Sequence, residues 1–375
     1  MGLKVTLTSG KVLSVVPVSG QAPEEALEQT LKRQGFPPRG KGGGAILRPH
    51  PQGAVLLPAL GGHPPRAPPP GGDPTVSESP IEWLYDFQQQ RSGVSWNPIQ
   101  GCTRVHEGCR HCYAWELHTR RHQAYQNGAR LPEQYRLPFH AVRPLPERLH
   151  QPRTWRAPRR VFVNSMSDLF HEQVEAGYIR QVFRAMAEAP QHTFLVLTKR
   201  YARMLEVIAP LAPLPHVWLG VSVVNQPTAD QALPPVREAR RRGWHTWVSY
   251  EPALGPVDWQ PWLPHIEWLV AGGESGPQAR PMHPAWALAA RDACQQAGLP
   301  FFFKQWGEWL PAAELKPSEK LGKPTLYLSL EGARSDTRHD PAVPMVRVGR
   351  KRAGRALEGR LHQAYPITQG GSHGY

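Results

Sequence analysis

The sequence predicts an α/β fold: a full or partial (β/α) barrel preceded by a small N-terminal α/β module. From about Ile81 onward, short and almost continuously apolar runs alternate with segments of helical period, which is typical of a parallel sheet covered by helices. About seven such runs occur, and polar or charged residues follow them. No pair of halves with a Gly-rich phosphate loop is visible, so a barrel fits better than a flat doubly wound sheet.

The N-terminal part, residues 1–62, is predicted to be the small α/β module. Leu3, Val5 and Leu7 alternate as one face of a strand, and Val12–Val18 can return beside it as a hairpin. The module would be completed by a helix over Pro23–Gln34 and an apolar run at Ala54–Leu57. It carries no recognisable chemistry, and we expect a structural cap, with a substrate-recognition appendage as the alternative.

The segments that flank the barrel differ from it in composition. Residues 63–80 are predicted to be a linker, because seven prolines between Pro64 and Pro80 favour extended polyproline II. Residues 81–311 hold the barrel, and residues 312–375 form a basic C-terminal extension. A partial helical period between Met345 and Gln363 predicts a terminal helix that docks on phosphates or presents a solvated basic face. We expect Gln369–Tyr375 to be disordered.

Six apolar runs, together with the extended stretch just before Cys102, are the predicted barrel strands. The runs are Arg160–Val163, Phe194–Leu197, Val217–Val221, Thr246–Ser249, Trp268–Ala271 and Phe301–Phe303. Helical period separates them, as over Val174–Met186 and over Leu288–Ala297, which Gly298 closes. The chain of 375 residues is long enough for a core of this size with small appendages.

Polar and charged groups follow the predicted strands one after another. They are Asn164–Asp168, Thr198–Arg200, Ser222, Ser249–Glu251, Gly272–Gly276 and Lys304–Trp306. In barrels of parallel strands the functional site is built at the carboxyl ends of the strands. The sequence therefore predicts a single polar mouth to which six strand ends contribute.

The most informative stretch is Ser95–Ala114, which reads SWNPIQGCTRVHEGCRHCYA and holds three of the four cysteines. Cys102, Cys109 and Cys112 are spaced C-x6-C-x2-C. Three thiolates can hold three irons of a 4Fe-4S cluster and leave the fourth iron open for a ligand. The alternative is a structural zinc site completed by a histidine such as His106, although zinc sites more often show two separated ligand pairs.

The same stretch resembles a known signature. Asn97–Cys102 reads NPIQGC and Gly108–Ala114 reads GCRHCYA, which is similar to the pattern of radical S-adenosylmethionine (SAM) enzymes related to spore photoproduct lyase. Those enzymes space their cysteines C-x3-C-x2-C, so this chain carries three extra residues, and His111 stands where an aromatic residue is common. The run from about Trp96 to Trp309, with Arg347–Gly354, resembles a phage-associated, largely uncharacterised three-Cys-motif family.

The resemblance implies a barrel of radical SAM type, a 4Fe-4S cluster on the three cysteines, and SAM as second cofactor. SAM would be cleaved reductively to methionine and a 5′-deoxyadenosyl radical that abstracts hydrogen from a substrate. By strand order alone, the resemblance assigns Asn164, Ser165 and Asp168 to the amino group of SAM. It likewise assigns Lys199 to the SAM carboxylate and Ser222 to the ribose.

Four more strand-end residues are candidates for ligand binding. Gly272 and Gly273 allow close backbone approach to a group such as adenine. Glu251 and Glu274 could bond the edge of a substrate base or transfer protons, or they could only pair with basic residues across the mouth. Those basic residues are Lys199, Arg200, Arg280 and Lys304. Trp306 and Trp309 could stack on a base, whereas Cys294, on a predicted helix, is expected to be a buried packing residue.

The charge of the chain predicts a polyanionic partner. Lys and Arg number 44 against 30 Asp and Glu, which gives a net charge of +14. Nucleic acid, DNA or RNA, is the usual partner of such a protein, although a basic surface alone is the alternative. A reductant protein such as flavodoxin or ferredoxin would supply electrons, and a second protein partner is possible. The sequence has no membrane span, secretory signal or disulfide framework, so we expect a cytoplasmic protein.

The sequence thus predicts a radical SAM iron–sulfur enzyme that acts on nucleic acid or a nucleotide-derived substrate, in repair or base modification. The alternative from another class is a zinc-stabilised nucleic-acid-binding protein without catalysis. A third interpretation is a regulator that binds cluster and SAM and turns nothing over.

Overall fold

The computed structural model describes residues 3–6, 12–15, 78–86, 90–315, 318, 322–338 and 341–366. They fall into two compact units, Met1–Gly72 and Asp73–Tyr375. In the first, strands β1 (Leu3–Thr6) and β2 (Val12–Val15) pair antiparallel, as the predicted hairpin requires. Other predictions lie outside the described residues: Pro23–Gln34, Ala54–Leu57, nearly all of the linker, and Gln369–Tyr375.

The second unit begins its sheet with strand β3 (Val94–Trp96). The chain then forms strand β4 (Ile99–Gln100), helix α1 (Tyr113–Gln126), strand β5 (Arg143–Pro144) and the short helix α2 (Gln151–Thr154). Strands β4 and β5 pair antiparallel outside the main sheet. The cysteine segment therefore lies between β4 and α1.

Six further strands complete a seven-stranded parallel sheet. They are β6 (Arg160–Val163), β7 (Thr193–Thr198), β8 (Val217–Ser222), β9 (His245–Tyr250), β10 (Leu269–Gly272) and β11 (Phe301–Gln305). The order across the sheet is β3-β6-β7-β8-β9-β10-β11, and every neighbouring pair is parallel. The first and last strands do not pair with each other, so the sheet is a partial (β/α) barrel. The predicted fold class and its seven strands are confirmed.

Helices connect most of these strands. They are α3 (Ala176–Ala187), α4 (Tyr201–Ile208), α5 (Gln226–Arg241) and α6 (Pro284–Gln296). Helix α5 begins with a capping box, in which Asn225 and Thr228 satisfy each other's backbone N–H groups. Between β9 and β10 the described chain forms only a short 3-10 turn, Leu263–His265. No helix in the described part of the chain is long and apolar enough to cross a membrane.

Side chains alternate across the sheet, and this alternation separates two cores. One side of each strand packs against the helices, as Val161 and Val163 of β6 do. The other side, the inner face of the partial barrel, is filled at its base by large aromatic residues. This aromatic floor consists of Trp83, Phe162, Trp218, Trp247, Trp268 and Phe302. Because the floor is buried, only the upper part of the inner face is left to bind a ligand.

The C-terminal extension differs from the expected basic helix. Strands β12 (Trp309–Pro311), β13 (Thr325–Leu328), β14 (Arg334–Ser335) and β15 (Val343–Arg347) form a four-stranded sheet. A single helical turn, α7 (Arg350–Ala353), and a hairpin of β16 (Ala356–Leu357) and β17 (Arg360–Leu361) follow. The turn ends at Gly354, whose φ of 70° breaks the helix that the spacing of alanine and leucine had suggested.

Candidate functional site

The polar strand-end residues meet above the aromatic floor. In a strand, side chains two or four residues beyond an inner-facing residue also lie on the inner side of the sheet. The residues reached in this way are Lys199, Ser222, Glu251, Gly272 and Lys304. Asn164 directly follows β6 and joins Val163 through a cis peptide bond, so alternation does not assign it a face. Contacts support the convergence, since Lys304 Nζ lies 3.0 Å from Glu251 Oε1 and Ser222 Oγ donates to the Glu251 carbonyl at 3.2 Å.

The cysteine loop, residues 101–112, begins at a close approach between two backbones. Gly101 has a φ of 87°, and a Cβ there would lie 2.7 Å from the Phe139 carbonyl oxygen, so this position requires glycine. Cys102 N donates to the same oxygen at 2.9 Å. The loop then turns through a 3-10 segment, Glu107–Cys109, and Cys112 directly precedes α1. All three cysteines are thereby brought to one loop at the carboxyl edge of the sheet.

The loop contacts the segment that follows β6 at both of its ends. Gly101 forms a parallel bridge with Ser167, and the hydroxyl of Tyr113 donates to the Ser165 carbonyl at 2.7 Å. Asn97, of the NPIQGC sequence, bonds the Ser165 hydroxyl at 3.1 Å and accepts from Met166 N at 2.8 Å. The cysteines and the predicted SAM-binding segment are therefore neighbours.

The thiols differ in their surroundings. Cys109 is buried, Cys102 and Cys112 are half-buried, and all three are free of disulfide bonds. Burial and the Asp168 carboxylate raise the pKa of the Cys102 thiol to about 12, against the opposing effect of the Arg200 guanidinium. Cys102 therefore stays protonated near neutral pH unless a metal displaces the proton.

Asn164 is the most unusual polar residue of the site. Its side chain is only 4% exposed, and neither its amide oxygen nor its amide nitrogen has a hydrogen-bond partner among the described residues. A buried amide without partners is costly, and in native proteins such groups are generally bonded. The Asn164 amide thus has one acceptor and two donor hydrogens without partners in the ligand-free protein.

The other residues assigned to the SAM amino and carboxylate groups differ in whether their side chains already have partners within the protein. Lys199 makes no ion pair with any described residue, so its ammonium is free to meet an anion. The Asp168 carboxylate, by contrast, already accepts from Thr198 Oγ1 at 2.6 Å, from Lys199 N at 3.0 Å and from Arg200 Nη1 at 3.2 Å. Ser165 is bonded to Asn97. The assignments of these residues to SAM remain predictions.

The two glutamates both have the ion pairs that the sequence left open as an alternative. Glu251 pairs with Lys304, and Ser249 Oγ donates to its other oxygen at 3.3 Å. Glu274 is buried and accepts from Arg280 at 2.6 and 2.8 Å. Their predicted roles toward substrate or cofactor are untested by these contacts, but either role would require a ligand to share or replace an existing partner.

Packing accounts for several other candidates. A Cβ on Gly273 would lie 1.9 Å from the Trp306 carbonyl oxygen, so this glycine serves a chain crossing, whereas a Cβ on Gly272 would lie 2.8 Å from Glu251 Oε1. Trp306 and Trp309 are buried, and their indole N–H groups donate to the carbonyls of Ala356 and Ala279. Neither ring is free to stack on a base. Cys294 is fully buried on α6, as expected.

Two functional features were not predicted from the sequence. Tyr113, quoted only as part of the signature, is 58% exposed although its hydroxyl donates to the Ser165 carbonyl. A cavity of about 430 Å³ also opens beside the cysteine loop. Its lining includes Glu107, Asn225, Arg280, Trp286 and Arg334. The sequence signal for the cavity was weak, because one of its walls comes from the C-terminal four-stranded sheet.

The candidate metal donors are the three free thiols of the cysteine loop. No group of three His, Cys, Asp or Glu side chains within the described ranges is arranged to hold one metal ion. In a 4Fe-4S cluster each cysteine binds a different iron, whereas four zinc ligands must converge on one point. Three free thiols on one loop, which contacts the segment after β6 that holds Asn164, fit the ligand set of such a cluster.

Two solved structures of spore photoproduct lyase are similar to this chain. One, a variant with bound AdoMet and dinucleoside spore photoproduct, has 10% sequence identity and a TM-score of 0.32, over 68% of each chain. The other, a cysteine variant, has 10% identity and a TM-score of 0.33, over 88% of this chain and 87% of that chain. At these TM-scores the likeness carries no argument about activity.

Sequence comparison identifies a family but no function. The search of curated proteins finds no match. The sequence model of a family described as "Protein of unknown function (DUF5131)" matches residues 78–366, which is well over half of the chain. The chain therefore belongs to the DUF5131 family.

Proposed function

We propose that the protein is a radical SAM enzyme that binds a 4Fe-4S cluster through Cys102, Cys109 and Cys112. The observation that carries this proposal is that the three-cysteine loop contacts the segment after β6, which also holds the buried, unpartnered amide of Asn164. The thiols supply the cluster ligands, and the amide supplies polar contacts for a group bound at the open iron. A protein that only binds nucleic acid has no need of such an amide.

Asn164 and the residues of the inner face can hold the methionine part of SAM. The Asn164 amide oxygen accepts from an ammonium group, and the free ammonium of Lys199 pairs with a carboxylate. Ser222 Oγ donates to the Glu251 carbonyl, and its remaining lone pairs can accept from a ribose hydroxyl. When bound and reduced, the cluster would supply the electron that cleaves SAM to methionine and a 5′-deoxyadenosyl radical.

The protein's own part in the reaction is to bind and orient SAM and the substrate and to exclude side reactions. The aromatic floor closes the inner face below the site, so SAM and substrate can enter only from the loop side. Tyr113 remains exposed at that entrance and offers a ring surface to an incoming group. An enclosed site matters because a carbon radical must meet its substrate before it abstracts hydrogen from another C–H or S–H group.

We propose nucleic acid or a nucleotide-derived molecule as the substrate. The net charge of +14 favours a polyanion. The cavity beside the cysteine loop has a volume within the range of about 300–1,000 Å³ that small-molecule sites occupy. Arg334 in its lining makes no ion pair within the described part of the chain and can meet a phosphate.

The proposal is tested by anaerobic purification and reconstitution, analysis of iron and sulfide, and an assay for 5′-deoxyadenosine with SAM and a strong reductant. We expect about four irons per chain and SAM cleavage, with both lost in Cys109→Ala and both kept in Cys294→Ala. One tightly bound zinc with no cleavage would instead support the zinc-stabilised binding protein. A cluster with bound SAM and no cleavage under any reductant would support the regulator.

A further inference from the structure

Two buried arginines hold the cysteine loop, one near its start and one near its middle. Arg200 Nη2 donates to the Thr103 carbonyl at 3.2 Å and to its hydroxyl at 3.0 Å, while Nη1 lies 3.6 Å from Cys102 Sγ. Arg280 Nη2 donates to the Glu107 carbonyl at 3.1 Å, and its Nη1 lies 3.6 Å from the Glu107 carboxylate. The first contact is at Cys102 and the second is two residues before Cys109.

Each arginine is itself fixed by a buried carboxylate of the barrel. Asp168, after β6, pairs with Arg200, and the two side chains are 6% and 2% exposed. Glu274, after β10, pairs with Arg280 in the same way, at 4% and 8% exposure. A buried guanidinium that is paired and fully bonded has little freedom to move. The loop is therefore attached to the carboxyl edge of the sheet at two separate places, one after β6 and one after β10.

We infer that Arg200 and Arg280 are positioning residues that order the cysteine loop before any cluster binds. The loop has three residues more than the C-x3-C spacing, and each added residue brings conformational entropy that ordering must remove. The two arginines supply the contacts that remove it. The identity of the bound group rests on the proposed function, but the order of the empty loop does not.

The two arginines differ in one respect that an experiment can detect. Arg200 directs an N–H group at the sulfur of a proposed cluster ligand, whereas Arg280 contacts only Glu107 on the loop. Hydrogen bonds and positive charge at a ligand sulfur stabilise the more reduced, more negative cluster and raise its reduction potential. Arg200 therefore tunes the potential as well as the shape of the loop, and Arg280 affects only the shape.

The ordering of the cysteine loop is tested by hydrogen–deuterium exchange of the peptide spanning residues 101–112 in the cluster-free protein. Lysine keeps the charge but lacks the fork that reaches several acceptors, so Arg200→Lys and Arg280→Lys should each speed exchange in this peptide by about tenfold. Arg291→Lys is the matched control, because Arg291 is largely buried and doubly paired but bonds only to Asp292 and Glu358. Thr103→Val removes an acceptor while leaving the Asp168–Arg200 pair intact, and it should loosen the same peptide.

Equal exchange in wild type and both arginine variants, or equal loosening by Arg291→Lys, would overturn the inference. The second readout is the reduction potential of the reconstituted cluster, which should become more negative in Arg200→Lys and stay unchanged in Arg280→Lys. Identical potentials in wild type and Arg200→Lys would remove the electronic role of Arg200. Failure of the proposed function would appear separately, as a wild-type protein that takes up no iron yet still shows a protected loop.

Discussion

Substitution of Asn164 gives the sharpest prediction, because it should raise the free energy of unfolding and at the same time weaken SAM binding. Its amide is buried and has no partner among the described residues, so the ligand-free protein bears the cost of desolvating it. Asn164→Leu replaces the amide with an apolar group of similar size. An unsatisfied buried group costs about 1–3 kcal/mol, so removing it should raise the free energy of unfolding by about that amount.

The stability change can be measured as a melting temperature. A gain of about 1–3 kcal/mol corresponds to a rise in Tm of about 2–5 °C for a domain of this size. SAM binding, measured by calorimetry on the reconstituted protein, should weaken at the same time. Asn97→Leu is the control, because that amide is bonded to Ser165 and Met166 and its loss should lower the Tm.

Two results would refute this reasoning. A lower Tm for Asn164→Leu would mean that the amide is already satisfied in the ligand-free protein and is structural. An unchanged affinity for SAM would mean that Asn164 does not contact the cofactor, and the assignment of Asn164 to the site would then have to be abandoned.

Three further predictions concern the rest of the structure. Asp168→Asn removes the buried partner of Arg200 and should lower the free energy of unfolding by about 3 kcal/mol in urea titrations; a loss below about 0.5 kcal/mol would contradict the buried pair. Burial, with a contribution from Arg159, lowers the pKa of His192, whose Nδ1 accepts from Arg159 N, so stability should fall as the pH drops below about 6.5. This acid sensitivity should be weaker in His192→Gln, and an equal pH profile would reject it. Cys294→Ala should cost about 1–2 kcal/mol and leave iron content unchanged, and loss of iron would place Cys294 at the site.

The strands were predictable because their physical signal is local. Each is a short run that must bury both faces, and the predicted run Arg160–Val163 coincides with β6. The polar residues after the strands were predictable for the same reason, since a chain leaving a buried strand exposes its next residues at the sheet edge. Alternation then places Lys199 on the inner face without any knowledge of its partners.

The partners of these residues could not be predicted, because they depend on contacts between distant parts of the chain. Arg200 and Cys102 are 98 residues apart, and no periodic pattern relates them. The spacing of apolar residues near the C-terminus suggested a helix, but Gly354 ends it after one turn and the chain continues as a hairpin. The cavity beside the cysteine loop depends on this sheet-rich extension, so it was missed together with the extension's true structure.

We propose that the three cysteines hold a 4Fe-4S cluster with one iron open to SAM. The most direct test is electron paramagnetic resonance of the reduced, reconstituted protein, recorded before and after SAM is added. We expect a signal of one reduced 4Fe-4S cluster whose g-values shift with SAM, and no shift in Asn164→Leu at the same SAM concentration. A cluster signal that SAM leaves unchanged in the wild-type protein, or the absence of any cluster signal, would contradict it.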